Sequence, residues 1–154
     1  GSPTVVAKIH HPCMGREGGL EVQVIHLKGA IEITALCDKA DPYIKLTLHD
    51  GQFELGGEHL GEIARTETKN NAGGNAVFNE PFRMIKPARM EFLRVELWDE
   101  NVTIDALQAS GDVDLDEVYI DGKGAEQRPV LRTIELQYKG KAAGLVQLRL
   151  RLRL

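Results

Sequence analysis

The residues that could carry out chemistry are few in this sequence, and none has the spacing of a catalytic or zinc site. His10 and His11 lie beside Cys13, but the second ligand pair that a zinc site needs is absent at matching spacing. The other histidines are scattered, and no Ser/His/Asp or Cys/His arrangement can be recognised. We therefore expect no enzyme and no required cofactor.

Three arginines near the C-terminus form the most regular charged pattern of the chain. Arg149, Arg151 and Arg153 alternate with leucines, so in a strand their guanidinium groups would lie on one face. Such a stripe could hold an acidic partner through bidentate contacts. It could instead keep an edge strand from aggregating, and this second interpretation is favoured because edge strands commonly carry charge.

Short alternating runs predict that most of the chain forms β-strands. Apolar and polar residues alternate with a period of two, and clusters of Gly, Pro, Asn and Asp separate the runs. The predicted strands cover residues 20–25, 43–48, 62–68, 77–84, 92–98, 112–115, 130–138 and 145–154. One short helical turn is expected within residues 114–119, and Trp98 is expected to pack on a sheet face. Many short strands with turn signals indicate an antiparallel sandwich.

Length and charge restrict the class of protein. The 154 residues are enough for one domain with a buried core. A net charge of -4, from 19 basic and 23 acidic residues, argues against a general nucleic-acid binder. The two cysteines have no CxxC spacing, which indicates a reducing compartment. No apolar run approaches the ~18 residues of a membrane span, and we expect an intracellular location, either cytoplasmic or peripheral to a membrane.

The ends of the chain suggest a segment of a larger protein. Gly1-Ser2 resembles the remnant of a cleaved tag, and the alternation of residues 145–154 continues to the last residue. Residues 1–17 are expected to form an N-terminal extension, as an edge strand near residues 5–9 or as a loose linker. Residues 18–154 are expected to form the folded domain.

Five segments resemble the C2 domain family, and they occur in the order that the family shows. They are LEVQVI at 20–25, DPYIKL at 41–46, RTETK at 65–69 followed by GGNAVFNEPF at 73–82, LRVELWD at 93–99 and GKAAGLVQL at 140–148. The spacing is most similar to that of small plant-type C2 proteins. The resemblance implies an all-β fold, an eight-stranded antiparallel C2-type β-sandwich with three binding loops at one end.

The resemblance also implies an incomplete calcium site in these loops. The positions that match the ligand pattern of calcium-binding C2 domains are Asp41, Asp99, Asn101 and Asp105, with an amide where one carboxylate belongs. Ala35 stands in the place of a further aspartate, and Asp38 lies nearby at a different spacing. Because affinity falls with the charge of the ligand set, we expect weak calcium binding or none. The alternative is that these aspartates only cap turns.

A lipid-binding sheet face is the third implication of the resemblance. Four basic residues match strands that form a concave basic face in family members: Lys45, Arg65, Lys69 and Arg94. There they would meet phosphoinositide head groups, with an attraction of roughly 1 kcal/mol per residue near an anionic membrane. The alternative is that they are ordinary solvated charges, because outward strand positions are normally polar.

The leading hypothesis is a C2-type targeting or interaction module of a larger protein. It binds a membrane surface or a protein partner, not nucleic acid, with weak or absent calcium dependence. A second hypothesis is a calcium-dependent module for anionic phospholipid, and a third is a purely structural domain for protein assembly. The sequence leaves the particular lipid, the particular partner and the oligomeric state open.

Overall fold

A computed structural model describes residues 16–31 and 39–154 of the chain. The strands in these residues are β1 (Gly18–Lys28), β2 (Pro42–His49), β3 (Leu60–Arg65), β4 (Ala76–Lys86), β5 (Phe92–Asp99), β6 (Ala106–Asp114), β7 (Val130–Tyr138) and β8 (Lys141–Arg153). Helix α1 spans Leu115–Asp121, and short 3-10 turns span Phe53–Leu55, Gly57–His59 and Gly124–Glu126. All the strands predicted from the sequence are confirmed, as is the helical turn. The possible edge strand near residues 5–9 lies outside the described residues.

Alternation decides which side chains of a strand face the core. In β1, Leu20, Val22 and Val24 lie on one side and are buried. Glu21 and Gln23, which alternate with them, are only partly buried. β2 differs, because nearly all of its positions are buried. On its outer side Tyr43 is covered by the guanidinium group of Arg65. The outward face of β2 is therefore a packed surface and not a bare sheet face.

The strands form one antiparallel sheet that folds into two layers, in the order β3-β2-β5-β6-β7-β8-β1-β4. β6 and β7 share a single residue pair, Ser110 with Gln137, and there the sheet passes from one layer into the other. Leu46 of the first layer and Leu148 of the second belong to the same hydrophobic core. The predicted antiparallel sandwich is confirmed.

The two edge strands, β3 and β4, lie beside each other and are joined by side chains. Glu62 Oε2 of β3 accepts the backbone N–H of Ile85 in β4 at 2.9 Å. Just beyond β3, Glu67 donates its backbone N–H to both carboxylate oxygens of Glu80 in β4, at 3.1 and 3.2 Å. These carboxylates accept hydrogen bonds from backbone N–H groups that would otherwise be free to pair with a strand of another molecule.

The edge-strand interpretation of the arginine stripe is wrong. β8 pairs with β7 on one side and with β1 on the other, so it has no free edge. Its place in the sheet is set by pairing with residues far away in the sequence, which local alternation does not reveal. The alternating arginines of β8 therefore need another explanation.

The region from β6 to α1 departs from the predicted bounds. β6 begins at Ala106, well before the short run at 112–115. The sequence did not predict its first half, which apart from Leu107 carries small and polar residues without apolar alternation. Ala109 is nevertheless buried there, opposite Leu97 of β5. The strand ends where Asp114 Oδ1 accepts the N–H of Asp116 at 2.9 Å and so caps α1.

Leu148→Ala should lower the free energy of unfolding by about 2–5 kcal/mol, because a fully buried core side chain is removed. Leu145→Ala on the same strand is the matched control and should cost less than about 1 kcal/mol, since Leu145 is 41% exposed. Urea denaturation followed by the fluorescence of the single tryptophan measures both. Equal losses of stability in the two variants would contradict the burial of Leu148 and the exposure of Leu145 on β8.

Candidate functional site

The candidate ligands are carried by loops that meet at one end of the sandwich. Asp41 precedes β2 and Asp99 ends β5, and the antiparallel pairing of these strands places Pro42 opposite Asp99. The connection between β5 and β6, residues 100–105, leaves from the same end. This end, which also includes the β3–β4 connection at 66–75, is the loop end.

Asp41 and Asp99 are joined by a hydrogen bond from backbone to side chain. The Asp41 N–H donates to Asp99 Oδ1 at 2.8 Å, and the Glu100 N–H donates to the Asp41 carbonyl at 3.0 Å. Asp41 Oδ1 accepts the N–H of Asn71 at 2.6 Å, which ties the β3–β4 connection to the same point. Both carboxylates therefore organise loop backbone, the role that the sequence offers as the alternative to metal binding.

Asp105 and Asn101 form hydrogen bonds with each other, with Tyr43 and with Ile104. Asp105 Oδ2 accepts the Tyr43 hydroxyl proton at 2.7 Å, and its Oδ1 accepts the Asn101 N–H at 3.1 Å. The side-chain amide of Asn101 donates to the Ile104 carbonyl at 3.0 Å. Burial, reinforced by the bond to Asp105, raises the pKa of Tyr43 to about 12. The same bond holds the pKa of Asp105 below its usual value.

The described residues do not assemble a calcium site by themselves. Calcium takes about six to eight oxygen ligands, yet no group of three or more His, Cys, Asp or Glu residues within 16–31 and 39–154 is arranged to hold a metal ion. Ala35 and Asp38, two positions of the predicted pattern, lie outside the described residues. Calcium binding stays a prediction.

Two apolar side chains project from the connection between β5 and β6. The exposed fraction is 105% for Val102 and 78% for Ile104. Apolar residues exposed together in one short loop are typical of a surface that meets a membrane or a partner. The sequence prediction missed this pair because it used the segment only for its carboxylates. The signal that could have found it was two large apolar residues in a short connection bounded by Asp99 and Asp105.

Lys45 and Arg65 lie opposite each other on the outer face of β2 and β3. The Arg65 guanidinium lies 3.5 Å from the centroid of the Tyr43 ring and donates to Glu100 Oε1 at 2.9 Å. The Lys45 ammonium lies 5.6 Å from the centroid of the Trp98 ring. Trp98 packs on the sheet face, as predicted. Both cations are thus in contact with aromatic rings of the protein itself.

Arg94 is held in a polar cluster on the same outer face. Its Nε donates to Asp112 Oδ1 at 2.9 Å, and the same oxygen lies 2.8 Å from His49 Nε2. His49 Nδ1 accepts the N–H of Gly51 at 3.1 Å, so the ring proton sits on Nε2 and is donated to Asp112. Burial alone would raise the pKa of Asp112, but the bonds from His49 and Arg94 outweigh it and hold that pKa below its usual value.

Lys69 lies beyond the end of β3. β3 ends at Arg65, short of the predicted bound, so the placement of Lys69 on a strand is wrong. The residue falls in the β3–β4 connection, with its ammonium 5.9 Å from the centroid of Phe78. The structure thus brings together Lys45, Arg65 and Arg94, and both arginines are paired with carboxylates of the protein itself. Phosphoinositide binding by this face stays a prediction.

The two-layered sheet and its loop end agree with the family that the sequence resembles. A model of the C2 domain family matches residues 18–130. The chain belongs to the C2 domain family. C2 domains are modules that bind membranes or proteins and are typically non-catalytic. In the part of this C2 domain that the structure describes, no helix has the length and apolar character needed to cross a membrane.

Solved structures with the same fold include an enzyme and two proteins close to this one in size. Human GIVD cytosolic phospholipase A2 matches 90% of this chain but only 17% of its own, at 20% identity and a TM-score of 0.64. A single C2 domain of plant extended synaptotagmin 1 matches 86% of this chain and 92% of its own, at 21% identity and a TM-score of 0.61.

The third structure is a C2 domain-containing protein from a putative elicitor-responsive gene. It matches 90% of this chain and 90% of its own, at 18% identity and a TM-score of 0.65. No curated protein matches the chain. At these identities the likeness shows the fold, and the activity of the phospholipase is not transferred to this C2 domain.

Asp105→Asn should lower the pKa of the Tyr43 phenol, because an uncharged amide no longer opposes formation of the phenolate. The pKa should fall from about 12 but stay above 10.0, since burial is the larger cause of the shift. An NMR titration of the Tyr43 ring measures it. Asp121→Asn, in α1, is the control and should leave the Tyr43 pKa in place. An unchanged pKa in Asp105→Asn would mean that the hydrogen bond is absent in solution.

Proposed function

We propose that this C2 domain docks on a membrane surface through its loop end, with weak or absent calcium dependence. The observation that carries the proposal is the exposure of Val102 and Ile104 on the short connection between β5 and β6. Such side chains gain free energy when they leave water. In a module of a family that binds membranes or proteins, this apolar tip favours insertion into the interfacial region of a bilayer.

The apolar contribution is of the size expected for weak, reversible docking. Full burial of a valine or isoleucine side chain contributes about 1.5–3 kcal/mol, so the pair contributes at most about 3–6 kcal/mol. Part of this is lost because binding immobilises the protein. Docking through this tip alone is therefore weak, and a second contact made by the same molecule would raise the overall affinity.

The charges near the tip favour an uncharged lipid surface. Asp41, Asp99, Glu100 and Asp105 all lie at the loop end. Arg65 approaches two of them, at 2.9 Å from Glu100 and 3.9 Å from Asp105. In the β3–β4 connection Lys69 and Glu67 balance each other, so carboxylates still outnumber cations around the tip and would repel anionic head groups. We therefore infer a preference for zwitterionic lipid such as phosphatidylcholine.

The engaged carboxylates support the weak or absent calcium dependence. Asp41, Asp99 and Asp105 each accept hydrogen bonds from the protein, and Asn101 contributes no charge. Calcium would have to compete with these bonds. The competing proposal, a calcium-dependent module for anionic phospholipid, rests on the adjacency of Asp41 and Asp99 and needs further ligands from residues 32–38.

Val102→Glu combined with Ile104→Glu should reduce co-sedimentation with phosphatidylcholine vesicles on the order of tenfold or more, because two apolar contacts become charges. Leu55→Glu combined with Ile120→Glu is the matched control. These residues are 67% and 58% exposed and lie outside the loop end, and the control should bind as the wild type does. Equal binding by the two double variants would contradict docking through the tip.

Because the loop carboxylates are already engaged by hydrogen bonds within the protein, millimolar calcium should leave the melting temperature of the wild type unchanged to within about 1 °C. A ligand that binds only the folded state would raise that temperature. Differential scanning fluorimetry with calcium and with a chelator measures the shift. A rise that is lost in Asp99→Asn and kept in Asp121→Asn would refute the calcium-independent proposal and favour the competing one.

A further inference from the structure

Four arginines and one glutamate share the outer face of β4, β1 and β8. The register places Arg83 of β4 opposite Glu21 of β1, and Glu21 opposite Arg151 of β8. Arg149 and Arg153 lie two positions away on either side of Arg151, so their side chains project from the same face. These residues, with Glu21 at their centre, form the arginine face.

One carboxylate serves three of these guanidinium groups. Glu21 Oε2 accepts a hydrogen bond from Arg151 Nε at 2.5 Å, whereas the Nε atoms of Arg83 and Arg153 lie 3.6 and 3.7 Å from Glu21 oxygens. The bond from Arg151 is the main reason that the pKa of Glu21 lies below its usual value. The exposed side chain of Arg149 has no ion pair or hydrogen bond within residues 16–31 and 39–154.

This excess of positive charge is local. The chain as a whole carries a net charge of -4, yet the arginine face has four arginines for one glutamate. On the opposite face Arg65 and Arg94 each lie 2.9 Å from a carboxylate oxygen. Residues 1–15, which precede β1, contain no Asp or Glu that could neutralise these arginines.

A groove of about 470 Å³ lies among these arginines. Its lining includes Pro81, Phe82, Arg83, Pro129, Arg149 and Arg151. Leu131, which is 55% exposed, extends the apolar surface beside Arg149 across the β7–β8 pair. An apolar recess with a cationic rim can admit side chains of a peptide, whereas the broad surface of a bilayer would meet only the rim.

The spacing of the arginines matches that of an extended peptide. Alternate residues of a strand are roughly 6.6 Å apart, so Arg149 and Arg151 repeat at the distance of alternate side chains in an extended partner. The guanidinium of Arg149 can bind a carboxylate through two parallel hydrogen bonds, whereas Arg151 has to share its guanidinium with Glu21, which its Nε binds. We propose that the arginine face binds an acidic protein segment in extended conformation, with carboxylates at alternate positions and apolar side chains in the groove.

Fluorescence anisotropy with a labelled peptide of alternating Glu and Leu tests the proposal on the full chain. Arg149→Ala should weaken binding about fivefold, the effect expected from loss of one partly exposed ionic contact. The fold should be unaffected, because Arg149 has no partner to lose among the described residues. Lys141→Ala is the matched control, since it removes the same charge from an exposed position at the other end of β8, and it should keep the wild-type affinity.

Two further measurements sharpen the result. Arg83→Ala combined with Arg149→Ala should weaken peptide binding on the order of twentyfold, and added salt should weaken binding by the wild type. The proposal is overturned if the peptide does not bind the wild type, or if Arg149→Ala and Lys141→Ala behave alike. It is also overturned if phosphatidylserine vesicles and not the peptide respond to Arg149→Ala, which would assign the face to lipid.

Discussion

The antiparallel pairing of β2 with β5 is the constraint on which both the loop end and the adjacent sheet face depend. Placing Pro42 opposite Asp99 brings the Asp41 N–H to the Asp99 carboxylate and fixes where two connections leave the sandwich. The same register sets Tyr43 beside Trp98, the rings on which two basic side chains lie. Because a slip of one residue turns every side chain of a strand to the other face, this register determines the loop end and the sheet face together.

The sequence predicted the strands because the inward side of a strand is a local property. The period-two pattern of Ile44, Leu46 and Leu48 is enough to identify buried positions, and all three are fully buried. Partners were not predictable in this way, because they come from distant parts of the chain. Tyr43 binds Asp105, which lies 62 positions away. For the same reason the alternation of β8 identified its arginine stripe but not its interior place in the sheet.

Resemblance to a family located basic positions but not the acids that neutralise them. Arg65 and Arg94 are held by Glu100 and Asp112, residues that the predicted lipid face did not include. A paired guanidinium has to give up its partner, or share it, before it can bind a head group, so pairing lowers its contribution to binding. The unbalanced charge lies instead on the second layer, where Glu21 is the shared acid of three arginines.

The apolar tip and the arginine face are far enough apart to be occupied at the same time. Arg149 pairs with Gln23, six positions along β1 from Gly29 at the loop end, which corresponds to about 20 Å. Each contact is weak alone, since one buries two side chains and the other consists of partly exposed ion pairs. A partner that is itself bound to a membrane would present both ligands to one molecule, and the second contact would form at a high effective concentration. Attachment would then require the membrane and the acidic segment together, although neither site need bind tightly.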